Sequence, residues 1–141
     1  MGGVGIMMRK DVASCMTGMW PVTDRIIMVK LSGKPFNINI IQVYAPTTDH
    51  EEEEIESFYE DINKVMDYTK SGEITILMGD WNAKVGDAPE HPVVGNCGLG
   101  ERNNRGTRLV NFCTSRKLVL TNTYFNQPKR RLYTWHSPGD Q

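Results

Sequence analysis

The sequence of 141 residues is poor in cysteine and lacks any long apolar run. Its three cysteines, Cys15, Cys97 and Cys113, are far apart and never stand at the C-x-x-C spacing, which argues against a zinc site and against a disulfide framework. We therefore expect a reducing, intracellular compartment. No apolar run is long enough to cross a bilayer, so no contact with a membrane is expected. The length and the hydrophobic content of 39% are typical of one globular domain over residues 1–141.

Two segments each contain charges of one sign only. Residues 49–61 contain eight acids and no Lys or Arg, whereas residues 102–131 contain eight bases and no Asp or Glu. The acids precede and accompany apolar residues at helical spacing, which predicts the start and outer face of an amphipathic helix; metal binding is the alternative. The basic segment also contains aromatic residues. It indicates either a surface that follows a polyanion or an ordinary solvated face.

Apolar periodicity predicts a mixed α/β fold. Strands are expected at residues 4–8, 26–31, 37–44, 74–78, 118–121 and 132–135. The second and third should form an antiparallel hairpin, because only a short turn separates them. A helix is expected from a capping box at 49–52 to the Ser-Gly pair at 71–72, and another from Asn104. Loops are expected at 11–24, with Trp20 as a packed anchor, and at 83–103.

The stretch Gly79-Asp80-Trp81-Asn82 directly follows the apolar run 74–78, which reads as a buried strand. A carboxylate next to an apolar core must be paired, hydrogen-bonded or bound to a metal. Asp80 and Asn82 are alternate residues, so in extended backbone their side chains point the same way. The pair would suit a hydrated divalent cation with a phosphate. The alternative is an Asx turn in which both side chains only satisfy backbone donors.

Four blocks of the sequence together resemble one protein family. They are Ile-Gln-Val-Tyr-Ala-Pro at 41–46, Leu-Met-Gly-Asp-Trp-Asn at 77–82, Asn-Asn-Arg-Gly at 103–106 followed by Leu109 and Phe112, and Tyr-Thr-Trp at 133–135. In order and spacing they look like the endonuclease/exonuclease/phosphatase superfamily, which is DNase I-like. The closest branch is the apurinic/apyrimidinic-like endonuclease of non-LTR retrotransposons and of sequences derived from them. The resemblance covers nearly the whole chain and implies a two-sheet α/β sandwich.

This resemblance also implies a chemistry, the Mg²⁺-dependent hydrolysis of a DNA phosphodiester, and a nuclear location. Asp80 should bind the metal and orient the attacking water, and Asn82 should hold a phosphate oxygen. Tyr44 should hydrogen-bond the phosphate, although a packed strand-end aromatic is the alternative. Further contacts with DNA are expected from a basic and aromatic set: Arg105, Lys129, Arg130, Arg131 and Trp135. A place for Trp135 in the core is the alternative for that residue.

The sequence also departs from the family pattern. The family has a metal-binding Glu on an early strand, yet no Glu precedes Glu51 here, and the closing Ser-Asp-His is absent. We therefore expect the central part of one such domain, with impaired cleavage and with sheet edges at 26–31 and 74–78 open to association. Two other functions remain: a non-catalytic remnant that binds nucleic acid or protein, and the phosphoinositide phosphatase branch of the superfamily.

Overall fold

The computed structural model describes residues 2–47 and 49–132, which divide into two compact units, Met1–Asn82 and Ala83–Gln141. Strands and helices occur together in one sequence, which confirms the predicted mixed α/β fold. The second sheet of a sandwich remains a prediction. Of the strand expected at 132–135, only Leu132 is described, and it caps a 3-10 helix; residues 133–135, with Trp135, lie outside the described residues.

The first unit is built on a sheet of four strands. In chain order its elements are α1 (Lys10–Ala13), β1 (Met16–Thr23), β2 (Ile26–Leu31), β3 (Ile38–Tyr44), α2 (Glu52–Met66) and β4 (Ile74–Asp80). The strands lie in the order β1-β2-β3-β4. The β2–β3 hairpin is antiparallel, as predicted, and β4 pairs with β3 in parallel after the α2 crossover. The two neighbouring carboxyl ends of β3 and β4 therefore lie at the same edge of the sheet.

Two predictions near the amino terminus are wrong. Residues 4–8 have no regular structure, and residues 11–24 form α1 and β1 rather than a loop. Trp20 is 46% exposed on β1 and is not a packed anchor. This strand was not predicted because Gly18 and Pro21 interrupt the pattern of a strand in the sequence. Both residues are tolerated in β1 because, among the described residues, it pairs with a single strand, β2.

The core of the first unit joins α2 to the two inner strands. Ile26, Met28, Ile41 and Val43 of the hairpin are at most 1% exposed. The predicted apolar stripe of α2 is confirmed, since five of its residues are buried: Ile55, Phe58, Tyr59, Ile62 and Val65. The predicted capping box is wrong. The amino-terminal cap of α2 is Glu51, with no side-chain hydrogen bond, and the preceding turn is closed instead by Thr47 and His50.

Strand β4 is less buried than its sequence suggests. Ile74, Ile76 and Met78 are 45%, 43% and 41% exposed, which contradicts the buried strand predicted there. The reason is position: within the described residues β4 pairs only with β3, so it lies at an edge of the sheet. The expected open edge at 74–78 is therefore present in the described part, whereas 26–31 pairs on both sides.

The second unit contains one long helix, α3 (Asn104–Arg116), among irregular segments. Asn103 caps it as the side-chain oxygen accepts from Gly106 N at 2.8 Å, and Leu109, Phe112 and Cys113 are buried as predicted. The loop predicted at 83–103 is confirmed, with one isolated bridge between Glu90 and Val94. The strand predicted at 118–121 is wrong: residues 118–120 have no regular structure, although Leu120 N donates to Val93 O at 2.9 Å, and a 3-10 helix follows at Thr121–Thr123.

Candidate strand-end site

Tyr44 and Asp80 are partners across the last position of the parallel pair β3–β4. Gly79 makes this approach feasible. Its φ is +140°, and a Cβ there would lie only 1.9 Å from Val43 O, so a larger residue would push β4 away from β3. Asp80 is exposed and Tyr44 is half-buried. The structure thus brings together, at the edge predicted from the sequence, a phenol and a carboxylate that both face solvent-accessible space.

Asn82 connects the loops that follow these two strands. Its Nδ2 donates to Ala45 O at 2.7 Å, while its backbone N donates to Asp80 Oδ1 at 3.0 Å. The second contact is the Asx turn that the sequence left open as the alternative. These two bonds leave three polar groups for other contacts: the second amide hydrogen of Asn82, its side-chain oxygen, and the second carboxylate oxygen of Asp80. The turn therefore fixes the geometry of Asp80 and Asn82 and still leaves polar groups for a ligand.

Trp81 anchors the same loop to α2. Its ring is 6.2 Å from the ring of Phe58 and 6.4 Å from that of Tyr59, both of which are buried. Aromatic side chains in such clusters have few conformations left, and they hold the attached backbone in place. The loop between Asp80 and Asn82 is consequently tied on one side to the core and on the other to Ala45.

A second charged residue, Arg25, lies beside Tyr44, and it was not predicted from the sequence. Arg25 O accepts from Tyr44 N at 2.9 Å, so Arg25 lies opposite Tyr44 at the start of the hairpin. The guanidinium carbon is 5.5 Å from the centre of the Tyr44 ring, and Nη1 donates to Tyr44 O at 3.4 Å. The sequence predicted the hairpin but not its register, and only the observed pairing of Ile26 with Val43 places Arg25 beside Tyr44.

His50 contacts the same arginine. Its Nε2 is 3.1 Å from Arg25 Nη2, and its Nδ1 is 2.8 Å from Thr47 Oγ1. Glu54 Oε2, one turn into α2, is 3.6 Å from the same Nε2. Across the strand ends the order is therefore His50, Arg25, Tyr44 and Asp80, a row that contains one imidazole, one guanidinium, one phenol and one carboxylate.

A magnesium ion does not fit these residues as a complete site. The described residues contain no group of three or more His, Cys, Asp and Glu side chains that could hold a metal ion. Asp80 contributes one carboxylate, half engaged by Asn82 N, whereas protein Mg²⁺ sites rely on carboxylates and substrate phosphates in octahedral geometry. The acids of α2 do not assemble near Asp80 into such a site either.

The other predicted residues lie in the second unit or outside the described part. Arg105 is half-buried in the first turn of α3. Lys129, Arg130 and Arg131 are exposed and consecutive in a 3-10 helix, as a contact with a polyanion would require. Arg102 is not free for such a contact, since Nη1 donates to Glu90 Oε2 at 2.7 Å and Nε to Val85 O at 2.8 Å. Trp135 lies beyond the described residues.

A second polar cluster lies at the opposite end of the sheet. Lys30 Nζ is 3.1 Å from both carboxylate oxygens of Glu73, and Asn39 Nδ2 donates to Glu73 Oε2 at 2.9 Å. The Asn39 bond, the backbone N–H of Lys70 and the Lys30 charge together lower the pKa of Glu73 to about 2. This cluster closes the start of β4, and the two ends of the strand therefore carry carboxylates in very different surroundings.

Comparison with known proteins gives relatives but no activity. No family model matches the sequence. The chain is 46% identical over 136 residues to craniofacial development protein 2 of Bos taurus, covering 96% of the chain and 23% of the relative. It is 44% identical over 136 residues to craniofacial development protein 2 of Tragulus javanicus, covering 96% of the chain and 24% of the relative. The chain thus spans about a quarter of the length of these relatives, and their name states no reaction, substrate or ligand.

No helix within residues 2–47 and 49–132 has both the length and the apolar character that crossing a membrane demands.

Proposed function

We propose that the chain is the phosphodiester-binding part of a DNase I-like endonuclease domain of retrotransposon origin, that it acts on DNA, and that its own cleavage is weak. The observation that carries this proposal is the pairing of Tyr44 with Asp80 at the shared carboxyl edge of β3 and β4. Ligand sites of α/β sheets commonly lie outside the carboxyl ends of neighbouring strands. The family blocks in the sequence and the strand-end geometry thus point to the same edge.

The residues of the site have separate tasks in this proposal. The Tyr44 hydroxyl donates to a non-bridging phosphate oxygen, and the remaining Asn82 amide hydrogen donates to another. The oxygen of Asp80 that the Asx turn does not use accepts from a water on the opposite side of the phosphorus. The bonds from Asn82 to Ala45 and Asp80 hold these groups in place before a ligand arrives, which lowers the entropy cost of binding.

Efficient cleavage needs more than the described residues supply. In this chain Asp80 is the residue that would contribute to holding a Mg²⁺ ion, and such an ion would supply Lewis-acid chemistry at the phosphate. A single carboxylate leaves most of the coordination to water, and loss of one part of a catalytic unit removes most of its rate. We therefore propose binding of DNA with weak Mg²⁺-dependent nicking. A non-catalytic, nucleic-acid-binding remnant is the second candidate, favoured by the lack of a three-ligand cluster in the described part.

The basic helix at the end of the described chain supplies general attraction to DNA in this proposal. Lys129, Arg130 and Arg131 are exposed and adjacent. Contacts of such residues with phosphates carry no base sequence and weaken as salt rises. Replacing all three by alanine should weaken binding to any duplex and flatten its salt dependence. A matched control removes three exposed lysines of the first unit: Lys10, Lys34 and Lys64.

One experiment tests the proposed function as a whole. Supercoiled plasmid is incubated with the purified chain in Mg²⁺, and duplex binding is measured in parallel by fluorescence anisotropy. We expect measurable binding, with nicking that is weak and lost in Asp80→Ala but kept in Asp87→Ala, which removes another exposed carboxylate. Binding without any nicking would favour the non-catalytic remnant. No binding to DNA in low salt would overturn both candidates, and vesicles containing phosphoinositides then become the substrate to assay.

A further inference from the structure

We infer that His50 is a positioning residue of the strand-end site, holding Arg25 against Tyr44 through one particular tautomer of its ring. The inference rests on the proposed phosphodiester-binding function, because it concerns the side chain that orients Tyr44. None of the residue roles implied by the sequence includes His50 or Arg25.

A guanidinium can act only as a hydrogen-bond donor. All of its nitrogens donate and none accepts, so the 3.1 Å contact from Arg25 Nη2 requires His50 Nε2 to be the acceptor. A neutral imidazole that accepts at Nε2 carries its hydrogen on Nδ1. That hydrogen faces Thr47 Oγ1 at 2.8 Å, and the hydroxyl can accept it. Both ring nitrogens are thus satisfied in a single arrangement, the Nδ1–H tautomer.

The contact between His50 and Arg25 also affects the position of Tyr44. Arg25 is held by His50 on one side and by Tyr44 O on the other, and its charge lies over the Tyr44 ring. A cation over an aromatic face restrains both partners. Removing the His50 contact should therefore loosen Arg25 first and the Tyr44 hydroxyl second, without touching a group that meets the phosphate in the proposed site.

Three groups face the His50 ring: Arg25 from just before β2, Thr47 from its own turn and Glu54 from α2, whose Oε2 lies 3.6 Å from Nε2.

Two conservative variants separate the two ring contacts. Glutamine places its amide oxygen near the position of Nε2, so His50→Gln retains an acceptor for Arg25. Asparagine places its amide near Nδ1, so His50→Asn retains the Thr47 contact and loses that of Arg25. Each substitution leaves Tyr44, Asp80 and Asn82 unchanged.

The test combines a ligand-free and a ligand-bound measurement on the chain. Nitrogen-15 spectra at mildly alkaline pH should show His50 Nε2 without a hydrogen in the parent and with one in Arg25→Met. Binding of a fluorescein-labelled DNA duplex in EDTA should weaken about two- to tenfold in His50→Asn, the range expected for one hydrogen bond, and stay within about twofold in His50→Gln. An Nε2–H tautomer in the parent, or equal binding by the two variants, overturns the inference. Tyr44→Phe, measured in parallel, distinguishes the failures: unchanged binding in that variant counts against the proposed function itself.

Discussion

The two compact units of the chain are stabilised in different ways. In Met1–Asn82, strands and α2 bury apolar side chains at regular spacing, and β2, β3 and α2 contain its most buried residues. In Ala83–Gln141, irregular backbone is held by single polar side chains: Asn103 accepts from Lys84 N and Gly106 N, and Thr123 accepts from Gly95 N. The order of the first unit is distributed over many apolar contacts. The second unit also buries apolar side chains, such as Val94 and Leu109, but its irregular segments rely in addition on a few individual hydrogen bonds.

This difference decides how sensitive each unit is to a single change. A core of apolar contacts loses stability in proportion to the volume removed. When a loop is held by one buried hydroxyl and that hydroxyl is replaced, the backbone N–H that donated to it loses its acceptor. This buried N–H is then without a hydrogen bond, and its desolvation lowers the free energy of unfolding. The following predictions start from the core of the first unit and move to smaller effects.

The largest effect is expected from Ile62→Ala in α2. Ile62 is fully buried, so its truncation should cost about 2–5 kcal/mol in the free energy of unfolding, measured with urea. Hydrogen exchange should rise in β2, β3 and α2. The matched control is Ile76→Ala on β4, where the side chain is 43% exposed and the cost should be about 1 kcal/mol. Equal costs for the two variants would show that the apparent core is not where this unit derives its stability.

In the second unit the corresponding change is Thr123→Val. The hydroxyl of Thr123 accepts from Gly95 N at 2.8 Å and donates to Leu120 O at 2.6 Å, and the side chain is 4% exposed. Valine has the same shape without these bonds, so about 1–3 kcal/mol should be lost.

The control for this change is Thr114→Val, whose hydroxyl bonds only to Val110 O within α3; we expect a cost of about 0.5 kcal/mol. A Thr123→Val protein as stable as the parent would remove the contrast between the two units.

A pH titration tests the polar cluster at the start of β4. The pKa of Glu73 is lowered to about 2 from 4.5, so its folded-state interactions stabilise the protein above pH 4.5 and are lost as the pH falls toward 2. Thermal unfolding of the parent should therefore decline more steeply over that interval than that of Glu73→Gln, which has no charge to lose. Identical declines would contradict the assigned network with Asn39, Lys70 and Lys30.

The smallest effect on stability is expected at the edge strand. Ile76→Lys places a charge on the exposed side of β4, and because the aliphatic stem of lysine keeps part of the apolar contact, it should cost less than Ile76→Ala in the free energy of unfolding. Charges on edge strands oppose pairing with another chain, so self-association at high concentration should decrease in sedimentation velocity. A parent chain that stays monomeric at every concentration would contradict pairing of β4 with another chain.

The same contrast explains which features could be predicted from the sequence. The hairpin, the apolar stripe of α2 and the position of Asp80 at a strand end follow from local periodicity, and the structure contains all three. The exposure of β4 does not follow from its apolar run, which does not reveal whether a strand has one neighbour or two; the open edge at 74–78 was expected only from the departures from the family pattern. Strand β1 was not predicted, because Gly18 and Pro21 interrupt its pattern in the sequence and its pairing with β2 is non-local.

Within the candidate site, the sequence identified the residues but not the contacts among them. Tyr44, Asp80 and Asn82 were predicted, whereas the engagement of Asn82 with Ala45 depends on the path of two loops that no periodicity describes. Arg25 and His50 were overlooked for the same reason, since their roles arise from the hairpin register and a turn. The DNA-binding and catalytic roles of all these residues remain predictions.

The most direct measurement is a backbone NMR titration of the chain with a short DNA duplex in EDTA. The account predicts that the amides with the largest shifts belong to the strand-end site, at Arg25, Tyr44–Ala45 and Asp80–Asn82, with a second set at Lys129–Arg131. It also predicts no shift at the opposite end of the sheet, around Asn39 and Glu73. Shifts confined to Lys129–Arg131, with the strand ends unchanged, would show that DNA is held by charge alone and would contradict the proposed phosphodiester site.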